Sequence, residues 1–220
     1  MFIVFEGIDG AGKTTQATLL QDRLLARGKA PVHRLHEPGG TLLGDEVGRL
    51  VKHSPELELT AEAELLLFLA SRSQLVDRII RPALESGDTV ICDRFGGSTM
   101  AYQGYGRGLD LGQVGRLVEF STRGLVPDLT LLLSVPVSTG LKRKKSEVGH
   151  SKHLLQPTMF DTTSYDRFHD EEAAFHERVR QGYLKLAGQS EGNWVVIDGT
   201  PGPEQVFSKV WQTVESLLAG

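Results

Sequence analysis

Residues 2–5, 89–92, 129–135 and 194–197 are almost continuously apolar. A strand buried on both faces carries apolar side chains on both, so runs without alternation predict interior strands of a parallel sheet. Residues 31–35 form a weaker fifth run. Between the runs, apolar positions recur at helical spacing. Residues 14–27 follow a glycine-rich turn and stop at Gly28, a good C-terminal breaker. Residues 61–85 start after Thr60, which is suited to cap a helix N-terminus, and end before Gly87. Residues 111–123, 137–145, 170–186 and 203–218 complete the set. Strands alternating with helices predict an α/β fold, a parallel five-stranded sheet with helices on both faces. Ligands of such sheets sit at the carboxyl ends of the strands. Residues 146–164 lack a clear period, are rich in His, Lys and Thr, and contain Pro157. So long a loop in a compact domain points to function or disorder.

The chain of 220 residues suits one domain over 1–220, or one domain with an inserted lid. With 40% hydrophobic and 24% charged residues, its composition suggests neither disorder nor a coiled coil. A net charge of −4 argues against a protein that coats nucleic acid or an anionic membrane, while leaving room for a locally basic pocket. No run approaches membrane-spanning length, and Met1-Phe2-Ile3-Val4-Phe5-Glu6 has neither the basic flank nor the length of a signal peptide. The single thiol, Cys92, cannot form an internal disulfide and lies in a strand run, where it reads as a small buried hydrophobe. These features predict a cytoplasmic protein without nucleic-acid or membrane partners.

Gly7-Ile8-Asp9-Gly10-Ala11-Gly12-Lys13-Thr14 matches G-x-x-x-x-G-K-[ST] in full, between a strand run and a helical stretch. The glycines let successive N–H groups face inward, and the helix start adds its positive end. Lys13 supplies charge to the β- and γ-phosphates, and the Thr14 hydroxyl suits Mg²⁺. The motif implies ATP or GTP but no particular reaction. Three further clusters bear on the reaction: His36-Glu37-Pro38-Gly39-Gly40-Thr41 after the 31–35 run; Asp93-Arg94-Phe95 with Ser98, Ala101, Tyr102, Gln103 and Gly104 after the 89–92 run; and Phe68 with Arg72, one helical turn apart. Taken singly, Phe68 fits a core as well as a stacking platform, Tyr102 and Gln103 fit an ordinary loop, and Asp93-Arg94 fits a structural ion pair.

Together and in this order, these residues make the chain resemble the thymidylate kinase family. The resemblance runs from the glycine-rich turn to the loop at Pro201, and includes Ala101-Tyr102-Gln103-Gly104 and Phe175-His176-Glu177-Arg178. It implies a P-loop NTPase fold with a mobile lid at about 142–168, a homodimer, ATP with Mg²⁺ as donor, and dTMP as acceptor. In that resemblance Gly7, Ile8, Gly10, Ala11, Gly12 and Lys13 cradle ATP, and Thr14 and Asp93 attend the metal. Arg94 clamps the acceptor phosphate and Asp9 helps hold it. Phe68 stacks on thymine, Arg72 donates to its exocyclic oxygen, and Ser98 and Gln103 lie near the base. Tyr102 crowds the position of a ribose 2′-OH, and Glu37 joins the acceptor site. Arg143 stacks over adenine, and Asp198-Gly199-Thr200-Pro201 lines it, with Thr200 in contact.

The chain also departs from the family pattern. One branch carries an arginine in the P-loop where this chain has Gly10, so transition-state charge is expected from the lid. Lys142-Arg143 matches the start of the lid motif Lys-Arg-x-x-x-Arg, but Glu147 stands at its end, and an insert containing His150, Ser151, Lys152 and His153 precedes Asp166-Arg167. Lys145, Lys152 or Arg167 is the expected substitute. His36 replaces a usual arginine, and Gly48 replaces a usual basic residue, with Arg49 placed to take over after a one-residue shift. His169 stands where glutamate is frequent. Zinc on His150, His153 and His169 lacks a Cys partner or tight ligand spacing. Competing readings are a deoxynucleoside kinase with Glu37 as base, another monophosphate kinase, a non-catalytic nucleotide switch, and a structural partner protein. Leu65-Leu66-Leu67 fits either a dimer contact or the core.

Overall fold

The computed structural model describes residues 1–28, 31–151, 168, 171–190 and 192–219, without the side chains of 55, 145–151 and 219. Five parallel strands, β1 (Phe2–Glu6), β2 (Val32–His36), β3 (Thr89–Asp93), β4 (Leu129–Ser134) and β5 (Trp194–Asp198), lie in the order β2-β3-β1-β4-β5. The expected parallel five-stranded sheet is therefore present, each strand within about a residue of its apolar run. Burial explains the pattern of those runs. Every residue of central β1 is buried, whereas edge strands β2 and β5 are half-covered, which is why the 31–35 run reads weakly. Cys92 is wholly buried in β3, and burial pushes its thiol up, so it is an unreactive core residue.

Helix α1 (Lys13–Ala26) rises from the glycine-rich turn, and α2 (Leu42–His53) follows β2. Sequence periodicity missed α2 because Gly44 and Gly48 occupy its inner face beside Val47 and Val51. A Cβ on Gly44 would lie 2.7 Å from the Gly39 carbonyl oxygen, so these poor helix formers let α2 press on the 37–40 turn. Thr41 caps it, accepting from the Gly44 N–H at 3.0 Å.

The expected helix over 61–85 is α3 (Ala61–Leu75), a π-helical turn at Val76–Ile80, and α4 (Arg81–Glu85). Pro82 has no N–H to give four residues back, and the widened turn before it accommodates its ring. Leu65 is buried, whereas Leu66 is 58% exposed, so the leucine run is divided between core and surface. After β3 come α5 (Gly96–Thr99) and a π-helical stretch, Met100–Gly106, also missed in the sequence for its glycines. Then follow α6 (Leu111–Thr122), α7 (Val137–Ser151), α8 (Ala173–Gln189) and α9 (Pro203–Ala219). Among the described residues, no helix is long and apolar enough to cross a membrane.

Candidate active site

Adjacent strands β2, β3 and β1 end together. His36 is in register with Asp93, and Phe5 with Asp93. The Glu37 N–H donates to the Asp93 carbonyl at 3.0 Å, and the Arg94 N–H to the Phe5 carbonyl at 2.9 Å. The three sequence clusters thus meet at one corner of the sheet.

The turn from β1 to α1 is a phosphate cradle. Gly7, Gly10 and Gly12 all take positive φ, and a Cβ on Gly10 would lie 2.1 Å from the Gly140 carbonyl oxygen of α7. An arginine inside this turn has no room against α7 as it stands. Lys13 Nζ crosses the turn and donates to the Ile8 carbonyl at 2.9 Å. Burial and the neighbouring Arg94 charge lower its pKa to about 8, despite the opposing pull of Asp93, Asp9 and Glu6. The Thr14 hydroxyl donates to Asp93 Oδ2 at 2.6 Å. A hydroxyl and a carboxylate at the end of β3 form an oxygen-only pair of the kind Mg²⁺ prefers, so these residues fit this ion.

An open cleft extends from Gly10, Ala11 and Gly12 between α7 and the 199–203 loop. Arg143 Nη1 and Nη2 donate to the carbonyls of Gly199 and Thr200 at 2.8 and 2.9 Å, tying α7 to that loop. Asp198 accepts from the Thr200 N–H and hydroxyl at 2.9 and 2.7 Å. Arg143 and Thr200 therefore line one cavity, with the guanidinium engaged by backbone carbonyls.

A second cavity, of about 610 Å³, lies on the other side of Asp9 and brings together Glu37, Phe68, Arg72, Arg94, Ser98, Tyr102 and Gln103. Phe68 faces Phe168 at 6.0 Å between ring centroids, and Tyr102 meets Phe168 edge-on at 5.8 Å. Arg72, 1% exposed, spends Nε and Nη2 on Glu37 Oε2 at 2.8 and 2.5 Å, Nη2 also on the Phe95 carbonyl at 3.0 Å, and Nη1 on Thr99 Oγ1 at 2.8 Å. Both Nη2 hydrogens are thus used, and Nη1 keeps one N–H to present to a base carbonyl. Gln103 Nε2 donates to Glu64 at 2.7 Å, which fixes the amide and leaves its oxygen to accept.

Arg94 lines the second cavity and reaches the cradle through Asp9 and the Gly7 carbonyl. Its φ of 74° is left-handed, a conformation costing a non-glycine residue about 1–3 kcal/mol. Its side chain pairs with Asp9 and donates to Tyr102 Oη at 3.2 Å, Ser98 Oγ at 3.1 Å, Tyr183 Oη at 3.2 Å and the Gly7 carbonyl at 3.2 Å. Burial alone would raise the Asp9 carboxyl. The charges of Arg94, Lys13, Lys144 and Lys52 outweigh it and hold Asp9 well below the usual carboxylate range.

The aromatic-walled pocket meets the cradle at Asp9, with which Arg94 pairs, the arrangement expected of a donor and an acceptor site. A family model described as thymidylate kinase matches residues 5–210. The chain belongs to the thymidylate kinase family. It is 45% identical to the thymidylate kinase of Desulfovibrio desulfuricans over 99% of this chain and 96% of that one. It is 41% identical to that of Geotalea daltonii over 100% and 98%. The crystal structure of thymidylate kinase from Ehrlichia chaffeensis superposes with a TM-score of 0.74 at 32% identity, covering 98% of both chains.

Several expectations drawn from the family pattern change in detail. Arg49 does not face the acceptor pocket; it lies on the outer side of α2 with its side chain 56% exposed and pairs with Glu46 at 3.1 Å. The basic residue of α2 that lines the pocket is Lys52. Ser98 lines the pocket, and its hydroxyl bonds Glu6, Tyr183 and Arg94. Lys152, Arg167, Asp166, His153 and His169 lie outside the described residues, as do the side chains of Lys145, Glu147 and His150. Among the described residues of 142–168, Lys144 and Phe168 line this second cavity. Among the described residues, no three His, Cys, Asp or Glu gather as a metal-ligand set. Sequence reasoning missed Glu6, Tyr183, Lys52, Lys144 and Phe168. Of these, Lys144, next to the Lys142-Arg143 pair, carried a sequence signal.

Proposed function

We infer that the protein transfers the γ-phosphoryl group of ATP to dTMP, giving ADP and dTDP, with Mg²⁺. The observation that carries this reading is the Arg94–Asp9 pair, which joins the phosphate cradle to a pocket lined by Phe68, Phe168 and Tyr102. The acceptor phosphate is already anionic, so no general base is needed and catalysis reduces to positioning and charge. Mg²⁺ at Thr14 and Asp93 would neutralise donor-phosphate charge. Lys13 faces the β- and γ-phosphates, and Arg94 receives the acceptor phosphate in exchange for part of its pairing with Asp9. Arg72, with Gln103 behind it, reads the base edge, and Tyr102 lies against the sugar. ADP release measured with dTMP, dUMP, UMP, dCMP, AMP and thymidine separately tests the reading. Turnover with dTMP well above the rest is expected, and turnover with thymidine alone would replace it by a nucleoside kinase with Glu37 as base.

In this reading the segment at about 142–168 is the lid of a single kinase domain, and Lys144 supplies the cation that Glu147 cannot. Lys52 takes the place of the basic residue absent at Gly48. Both lysines line the acceptor pocket, and both charges act on Asp9. Lys144→Met is expected to lower kcat about a hundredfold with little change in KM for dTMP. Lys52→Met is expected to raise KM for dTMP about tenfold and spare kcat. Steady-state kinetics on both variants checks the division, and the reverse assignment of kcat and KM effects would contradict it.

The neighbouring helices α2, α3 and α6 expose Leu42, Leu66 and Phe120, which supports a homodimer through these helices. A lone buried thiol and the absence of a long apolar helix among the described residues support a cytoplasmic setting.

A further inference from the structure

Glu6 ends β1 one residue before the cradle and is 0% exposed. Its Oε1 accepts from the N–H groups of Phe95 and Ser98 at 3.0 and 2.9 Å. Its Oε2 accepts from the hydroxyls of Ser98 and Tyr183 at 2.6 and 2.8 Å. These two hydroxyls are 2.8 Å apart, and each also accepts from Arg94 Nη1. Glu6 itself makes no bond to Arg94 and borders no part of the acceptor pocket, so the phosphate-transfer reading leaves it without a role.

We propose that Glu6 is a positioning residue that fixes the direction of the Ser98 and Tyr183 hydroxyls so that both present lone pairs to Arg94, holding the guanidinium in the pose that receives the acceptor phosphate. An ionised carboxylate has no proton to give. Both hydroxyl protons therefore stay within the Glu6–Ser98–Tyr183 triangle, and the outward sides of both oxygens are acceptors. A guanidinium has only donors, so it needs this polarity. Burial pushes the Glu6 carboxyl up, and the Ser98 bond, the Arg94 charge and the Tyr183 bond oppose that rise.

Glu6→Gln tests the idea at constant shape. The amide oxygen must face the N–H groups of Phe95 and Ser98, since the opposite orientation sets donors against donors. The amide NH₂ then faces the two hydroxyls and turns a hydroxyl proton toward Arg94. This inference rests on the dTMP reading. Wild-type binding of dTMP tests that reading by itself, and the difference between wild type and variant tests the role of Glu6.

Calorimetric titration of wild type and Glu6→Gln with dTMP and with thymidine, which lacks the phosphate, gives the answer. We expect dTMP to bind about ten- to a hundredfold more weakly to the variant, the worth of hydrogen bonds to a charged group, with thymidine binding and KM for ATP unchanged. Equal weakening for dTMP and thymidine, or none for either, overturns the proposal. If Glu6→Gln does not fold, Tyr183→Phe decides instead. It removes one of the two hydroxyls and should give the same phosphate-dependent loss at smaller size, and a loss shared by thymidine overturns the proposal.

Discussion

Arg94→Lys should lower kcat/KM for dTMP by about 10³-fold while leaving KM for ATP near its original value. A guanidinium spans several directions at once, and here it reaches Asp9, Tyr102, Ser98, Tyr183 and Gly7 from a single planar group. An ammonium is a point charge with three donors, and it cannot both keep these partners and grip a phosphate. The loss falls on the acceptor because Arg94 borders that pocket and not the ATP cavity. Steady-state kinetics with each substrate varied in turn checks the division. An equal rise in both KM values would mean that Arg94 holds the cradle together instead of receiving phosphate.

Lys13→Met should produce two effects of opposite sign. Turnover should fall about 10²–10³-fold, because a preorganised charge facing the transferring group is removed. The ligand-free protein should not lose stability, and its thermal midpoint should rise, because a 7% exposed ammonium is unfavourable to bury and methionine fills similar space. The pH dependence follows from the same burial. The Lys13 pKa falls from 10.5 to about 8 in the folded chain. Between these values the unfolded state binds more protons than the folded one, so this group makes stability rise with pH across that window. Activity runs the other way. kcat/KM for ATP reports the free enzyme and should decline above about pH 8 as Lys13 loses its charge. Thermal melts and a pH–rate profile on wild type and Lys13→Met test both signs, and a variant less stable than wild type at neutral pH would contradict the burial argument.

The legible parts of the sequence were those in which one local rule had no competitor. The central strands read plainly because burial on both faces leaves an unbroken apolar run, and the cradle because its glycines and Lys13 must stand at fixed spacing. α2 and the 96–106 helical stretch were hidden because glycines chosen for close approach erase helix propensity. Gly97 illustrates the need: a Cβ there would lie 2.8 Å from the Trp194 ring and 2.9 Å from Glu6 Oε1. The pocket-lining residues after β2, on α3 and after β3 were singled out through resemblance, and their meeting in one pocket depends on strand order. Tyr183 was out of reach because it joins Glu6 across 177 positions. Glu6 had the further disadvantage of an ordinary charged appearance at the end of an apolar run, although it is wholly buried. Arg49 was misplaced because counting along a helix does not say which side faces the pocket. The inward stripe of Gly44, Val47, Gly48 and Val51 does, and it turns Arg49 outward.

The central claim is that phosphate moves from the cradle to a nucleotide in the Phe68–Tyr102 pocket. Its most direct test is to supply ATP labelled at the γ-phosphate, with Mg²⁺ and dTMP, and to follow the label by chromatography. The account predicts label in dTDP, none in inorganic phosphate beyond background, and no transfer when thymidine replaces dTMP. Label released as inorganic phosphate regardless of dTMP, or passed to thymidine instead, would contradict it.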